Sequence, residues 1–124
     1  HAWLDAGAYG VGVANRTKAK AEALAAAANA ANRDHRARAV PAEPKPGQLV
    51  VNATSLGLSP EDPLPIDPKL LDSSMTVAEV IAQPARTALL EAAAARGART
   101  HSGMHMISNQ VDLIADHLME LYGV

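Results

Sequence analysis

Short apolar runs and longer alanine-rich stretches take turns along this chain, and turn-forming residues mark the joins. The opening "HAWLDAG" reads as the last turns of a helix closed by Gly7. "AYGVGVANR" then has the compact apolar centre of a buried strand. "TKAKAEALAAAANAAN" follows, rich in the best helix formers. "RARAV" is a short strand candidate and "PAEPKPG" a proline loop. "QLVVNAT" reads as another compact strand. "SLGLSPEDPLPIDPKLLDSS" holds Pro60, Pro63, Pro65 and Pro68, which predicts a long loop with one short turn at Lys69 to Leu71. "MTVAEVIAQ" is again strand-like, and Pro84 punctuates it. Thr87 is placed to cap a helix over "ALLEAAAAR", which Gly97 stops. "ARTHS" predicts a last short strand. A long helix runs from Gly103 to Gly123, where Ile107, Val111, Ile114, Leu118 and Leu121 recur at spacings of 4, 3, 4 and 3. That rhythm marks one apolar face.

Strands alternating with helices imply a parallel sheet covered by helices. Ligands in such sheets gather at the carboxyl ends of the strands. Three polar clusters fall there: Asn15 to Thr17, Asn52 to Ser55, and Ala82 to Pro84. Composition then removes whole classes of chemistry. A length of 124 residues suits one domain. The absence of cysteine excludes disulfides and thiolate metal sites. A net charge of -2 offers no polycation, and one Trp, two Tyr and no Phe give no stacking platform, so no nucleic-acid partner is expected. No apolar run approaches the ~18 residues of a membrane span, so no membrane partner is expected either. A cytoplasmic protein is the default. The chain opens on His1 and in mid-element, which reads as the downstream part of something longer.

The helix start at "NRTKAK" is unusual. A helix N-terminus is electropositive, so acids belong there and bases do not. Here Arg16, Lys18 and Lys20 crowd it, and Lys20 occupies the position where a capping box from Thr17 would prefer Glu or Gln. In a dinucleotide fold, the end of the second strand reads the adenosine ribose. An acid there selects NAD, and an Arg accommodates the 2'-phosphate of NADP. Arg16 can grip a phosphate in a planar fork. Lys18 and Lys20 add point charges, and Thr17 offers its hydroxyl and its N–H. A bound phosphate reverses the sign of the local electrostatics. The plain alternative is a solvated helix start whose lysines cost only a few tenths of a kcal/mol.

The ordered set "VANRTKAKAEAL", "VNATSLGL", "DPLPID", "QPARTALLEAAAARGARTHSG" and "GMHMISNQ" resembles the NADP-binding domain of the shikimate dehydrogenase family, from about Gly10 to Gly123. That resemblance implies a Rossmann-like doubly wound parallel sheet with helices on both faces. It implies hydride transfer between NADP(H) and 3-dehydroshikimate or shikimate, as part of aromatic amino acid biosynthesis. By matched position, Asn15, Arg16 and Thr17 would hold the 2'-phosphate end of NADP, with Lys20 reinforcing them. Asn52, Ala53, Thr54 and Ser55 would line the cofactor path. Gly103 would present backbone to the nicotinamide amide, Met106 would lie against the ring, and Gln110 would reach the substrate. Without the resemblance, Met106 reads as core filler, Gln110 as a solvated helix shoulder, and Asn52 as an Asx turn at a strand end.

The pattern is also broken. The family's first strand and glycine-rich loop have no counterpart here, so the sheet is expected to lack its central strand. The whole chain, 1–124, then reads as an incomplete NADP-binding domain without the N-terminal substrate domain. The family's proton-transfer Lys and Asp belong to that substrate domain, so no catalytic residue is expected here and the chain alone is expected to be inactive. Ala82 stands where the family often has Tyr, which leaves shikimate, quinate or another cyclic polyol acid as the small-molecule substrate; a homodimer remains open. Three rivals stand beside this reading. One is a stand-alone NADP(H)-binding or regulatory module. Another is a different NADP enzyme such as a glutamyl-tRNA reductase, which the Gly-x-x-Met-Ile-x-x-Gln helix opposes. The last is a zinc site from His101, His105 and His117, opposed by the helix break at Ser102-Gly103; no metal is expected.

Overall fold

The computed structural model describes residues 7–31 and 36–123. The expected helix before Gly7 falls outside the described residues. The chain forms two compact units, His1–Glu43 and Pro44–Val124.

The N-terminal unit is one β-α-β turn. Strand β1 (Val11–Val13) pairs in parallel with β2 (Ala37–Ala39), and helix α1 (Lys18–Ala31) crosses between them. Parallel strands need such a crossover, and an alanine-rich helix supplies it with little side-chain entropy to lose. Ala21 and Ala25 are the residues that α1 buries, one turn apart on the same face. The β2 segment has little apolar character of its own. Asn29 compensates: its amide donates to the Ala37 carbonyl at 2.8 Å and accepts from the Ala37 N–H at 2.9 Å. One side chain thus imitates a neighbouring strand at a point where the sequence pattern is weak.

The C-terminal unit holds three parallel strands in the order β3 (Leu49–Asn52), β4 (Thr76–Glu79) and β5 (Arg99–His101). The β3-to-β4 crossover has no α-helix. It is the predicted proline loop with a single 3-10 turn at Pro68–Leu70, capped by Asp67, whose carboxylate accepts from the Lys69 N–H at 2.9 Å. Helix α2 (Ala88–Ala95) makes the β4-to-β5 crossover. Thr87 caps α2 as expected, accepting from the Leu90 N–H at 3.3 Å, and Gly97 follows it with φ +79°. The core of this unit is Leu71, Met75, Val77, Leu89, Leu90, Ala93 and Ala98, with Val50, Leu64 and Ile66 packed against it. The proline loop belongs to the core through Leu71, which is 1% exposed.

Helix α3 (Met104–Tyr122) closes the chain, and Gly123 ends it in the left-handed conformation. Its apolar face is present as predicted, yet α3 buries no residue; Val111 is 57% and Leu121 62% exposed. Its start is fixed differently. A Cβ on Gly103 would stand 2.4 Å from the Ile81 carbonyl oxygen and 2.7 Å from the Val80 carbonyl carbon, so only glycine lets the helix begin against the end of β4.

Among the described residues the strands form two parallel sheets, β1-β2 and β3-β4-β5. Gly103→Ala is expected to lower stability by about 1–3 kcal/mol, because the clash is with backbone that cannot rotate away. Urea unfolding checks this; an unchanged midpoint would mean that α3 is not seated on β4.

Candidate functional site

The predicted site residues lie at the carboxyl ends of the strands, in both units. In the N-terminal unit, β1 ends at Val13 and α1 starts at Lys18, so Asn15, Arg16 and Thr17 form the connection. Asn15 Oδ1 accepts from the Thr17 N–H at 2.8 Å, an Asx turn that sets the angle between strand and helix. The Thr17 carbonyl then accepts from the Lys20 N–H at 2.9 Å and from the Ala21 N–H at 3.4 Å, which makes Thr17 the residue flanking the helix. This corrects one expectation. The Thr17 N–H is spent on Asn15, so only the hydroxyl of that residue remains to be offered.

No acid occupies the first turn of α1. Lys18 pairs with Glu22 one turn on, at 3.4 Å, with both side chains mostly exposed. That pair contributes little, about 0.3–0.5 kcal/mol. Arg16 and Lys20 are exposed and make no ion pair among the described residues. Two exposed cations beside an electropositive helix start leave positive charge uncompensated there.

The C-terminal unit repeats the same device. β3 ends at Asn52, whose Oδ1 accepts from the Thr54 N–H at 3.1 Å and from the Thr54 hydroxyl at 2.7 Å. The Thr54 oxygen in turn accepts from the Leu56 N–H at 3.1 Å. Asn52 is 4% exposed and its amide nitrogen donates to the Leu56 carbonyl at 2.9 Å and to the Glu79 carboxylate. Its hydrogen-bonding capacity is therefore used inside the chain. Asn52 shapes the loop, and Ala53, Thr54 and Ser55 are what the loop exposes. Beyond it, Asp62 accepts from the Gly57 and Ser59 N–H groups, each at 3.0 Å, and staples the loop shut.

Gly103 and the Asn52 loop meet the same strand end. The loop's Gly57 packs toward the Ile81 side chain and Thr87, while Gly103 lies against the Ile81 carbonyl. Met106 follows on the first turn of α3, its N–H bonded to the Gly103 carbonyl at 3.1 Å, and is 46% exposed. Gln110 is exposed one turn further on. Ala82 is half-buried and precedes a cis Gln83–Pro84 peptide bond. Among the described residues, no group of three or more His, Asp or Glu side chains could hold a metal ion; the His101 and His105 rings stack with centroids 4.6 Å apart.

The sequence reading misses one residue of the site, Glu79, and a second role of Thr87. Glu79 is a buried acid at the end of an apolar strand, and Thr87 donates to it at 2.7 Å besides capping α2. The signal for Glu79 is its register: Val77, Glu79 and Ile81 alternate along β4 and its extension, and all three are buried.

No protein-family model matches the chain. Individual proteins do. Shikimate dehydrogenase (NADP(+)) of Methylocella silvestris is 42% identical over 98 residues, which cover 79% of this chain and 35% of that protein. Quinate dehydrogenase from Corynebacterium glutamicum, solved in complex with NAD, superposes with a TM-score of 0.74 at 28% identity, covering 86% of this chain and 39% of that one. Shikimate 5-dehydrogenase from Thermus thermophilus, solved with NADP(H) and shikimate, gives a TM-score of 0.70 at 32% identity, over 86% of this chain and 38% of that one. The parallel β-α-β units and these likenesses define a Rossmann-like α/β fold. The chain belongs to the shikimate dehydrogenase family, and it spans little more than a third of the length of the relatives it matches.

The Asp62 staple has a pH signature. Bonds from the Ser59 and Gly57 N–H groups hold its carboxyl below the ordinary value of 3.8. The folded form binds a proton less readily than the unfolded one. Its contribution is complete above that ordinary value and is lost as pH falls through the lower, folded value. The Gly57 and Ser59 amide resonances should titrate together with a midpoint below 3.8. Asp62→Asn should abolish that titration, and a midpoint at or above the ordinary value would contradict the staple.

Proposed function

We propose that this chain is the NADP-binding portion of a shikimate dehydrogenase-like oxidoreductase. The enzyme would transfer hydride between NADP(H) and 3-dehydroshikimate/shikimate or a related cyclic polyol acid. The observation that carries the proposal is the connection between β1 and α1. It has an exposed Arg16, an exposed Lys20 and no acid in the first helical turn. A ribose 2'-phosphate fits this charge pattern, and a bare 2'-hydroxyl, which an acid would bind, does not.

Under this reading Arg16 grips the phosphate, Lys20 adds charge, the Thr17 hydroxyl donates, and Asn15 holds the turn that places them. The exposed edge of the next loop, Ala53 to Ser55, borders the cofactor path, with Asn52 holding its shape. Gly103 offers backbone to the nicotinamide amide at the start of α3. Met106, half in solvent, covers the ring. Gln110 reaches toward substrate from the same helical face, one turn beyond Met106. Ala82 presents a methyl rather than a phenol at the substrate side, which suits quinate or another polyol acid as well as shikimate. None of the four lysines is built as a proton donor: Lys18 and Lys20 belong to the helix start, Lys45 to an exposed loop, and Lys69 to the 3-10 turn. The chain by itself therefore binds cofactor without turning substrate over, and in the whole protein it works in the cytoplasm.

The test is a parallel titration with NADPH and NADH. Arg16→Ala should weaken NADPH binding by about 1.5–3 kcal/mol, the range for a charged hydrogen-bond partner, and leave NADH almost unchanged. Equal losses would remove the 2'-phosphate from Arg16. Binding of neither nucleotide by the unaltered chain would overturn the claim that these residues suffice for a cofactor site.

A further inference from the structure

Glu79 is the one buried acid among the described residues, and the proposed function does not use it. It is 4% exposed, and no Lys or Arg pairs with it among the described residues. A buried carboxylate without a cation needs hydrogen-bond donors on its lone pairs to offset lost hydration. It has them from two directions. Asn52 Nδ2 lies 3.1 Å from one carboxylate oxygen and 3.0 Å from the other. The Thr87 hydroxyl donates to the first oxygen at 2.7 Å. The same Thr87 oxygen accepts from the Leu90 N–H, so its proton is directed at Glu79.

The donors come from separate segments. Asn52 opens the 52–57 loop after β3, and Thr87 ends the segment between β4 and α2. Glu79 sits at the end of the strand between them and ties one to the other. Through Asn52 the tie continues outward: Asn52 Oδ1 fixes both the N–H and the hydroxyl of Thr54, and Thr54 fixes the Leu56 N–H. The exposed ligand-facing residues thus stand on a chain of bonds whose inner end is a charge.

We propose that Glu79 is a positioning residue that holds the 52–57 loop in the conformation which receives the nucleotide. This rests on the cofactor reading above. Glutamine tests it, because its NH2 group would face a donor at Asn52 or at Thr87 whichever way the amide turns. In Glu79→Gln the Thr54 and Leu56 amides should lose hydrogen-exchange protection, while core amides such as Val77 keep theirs. NADPH and NADH affinities should fall together, by about tenfold, since the loop serves what the two cofactors share. That equal loss separates Glu79 from Arg16, whose loss is selective for NADPH. Thr87→Val, which removes one donor and keeps the shape, should give the same pattern more weakly, and Thr87→Ser should restore it.

Unchanged protection at Thr54 and Leu56 in Glu79→Gln would overturn the proposal, with or without a nucleotide. So would a loosened loop with undiminished nucleotide affinity. Should Glu79→Gln fail to fold, Thr87→Val carries both measurements, and the same two results would overturn the proposal there. Unaltered protein that binds neither nucleotide would overturn the cofactor reading and the positioning role that rests on it. The exchange data would then still report separately whether Glu79 holds the loop.

Discussion

The buried carboxylate of Glu79 ties the C-terminal unit together at the carboxyl ends of its strands. A charge taken out of water demands partners, and the partners available here are one amide and one hydroxyl on two different segments. Meeting that demand draws the end of β3, the end of β4 and the start of α2 into one cluster. The Gly57 loop then packs on Ile81 and Thr87, and α3 begins against the Ile81 carbonyl. Apolar packing from Leu71 to Ala98 makes the unit cohere. The polar cluster decides how the 52–57 loop is arranged.

The N-terminal unit solves a different problem with the same local device. Both β1 and β3 lead into Asn-x-Thr, and in both the Asn oxygen accepts from the N–H two residues on, at 2.8 and 3.1 Å. The Asx turn lets a parallel strand stop abruptly and present the next residues at its carboxyl end. The two turns open onto different elements. After β1 the turn leads straight into a helix loaded with cations. After β3 it leads into a loop closed by Asp62. One end is suited to holding a charged group, the other to offering a shaped, nearly neutral wall.

Much of this was legible in the residues. Thr87 as a helix cap, Gly97 and Gly123 as stops, and the prolines from Pro60 to Pro68 act through their own backbones, so short-range rules find them. The family was readable because its signature residues sit in those same local contexts. The short strand at Ala37–Ala39 was harder, because Asn29, eight residues earlier, supplies the bonds that hold it. Glu79 was missed for the same reason: an acid in an apolar strand is explained by Asn52, well before it in the chain, and by Thr87, after it.

The sequence by itself determined which segments become strands and helices, where each stops, and that positive charge gathers at the start of α1. These depend on propensity, capping and charge, which act over a few residues. Only the tertiary structure decided that Asn52 is spent inside the fold, on Glu79, rather than offered to a ligand. It also decided that Gly103 is needed for a close approach, and that the apolar face of α3 stands open. Those outcomes depend on which backbone arrives beside which, and hydrogen-bond partners distant in the chain are set by packing rather than by pattern.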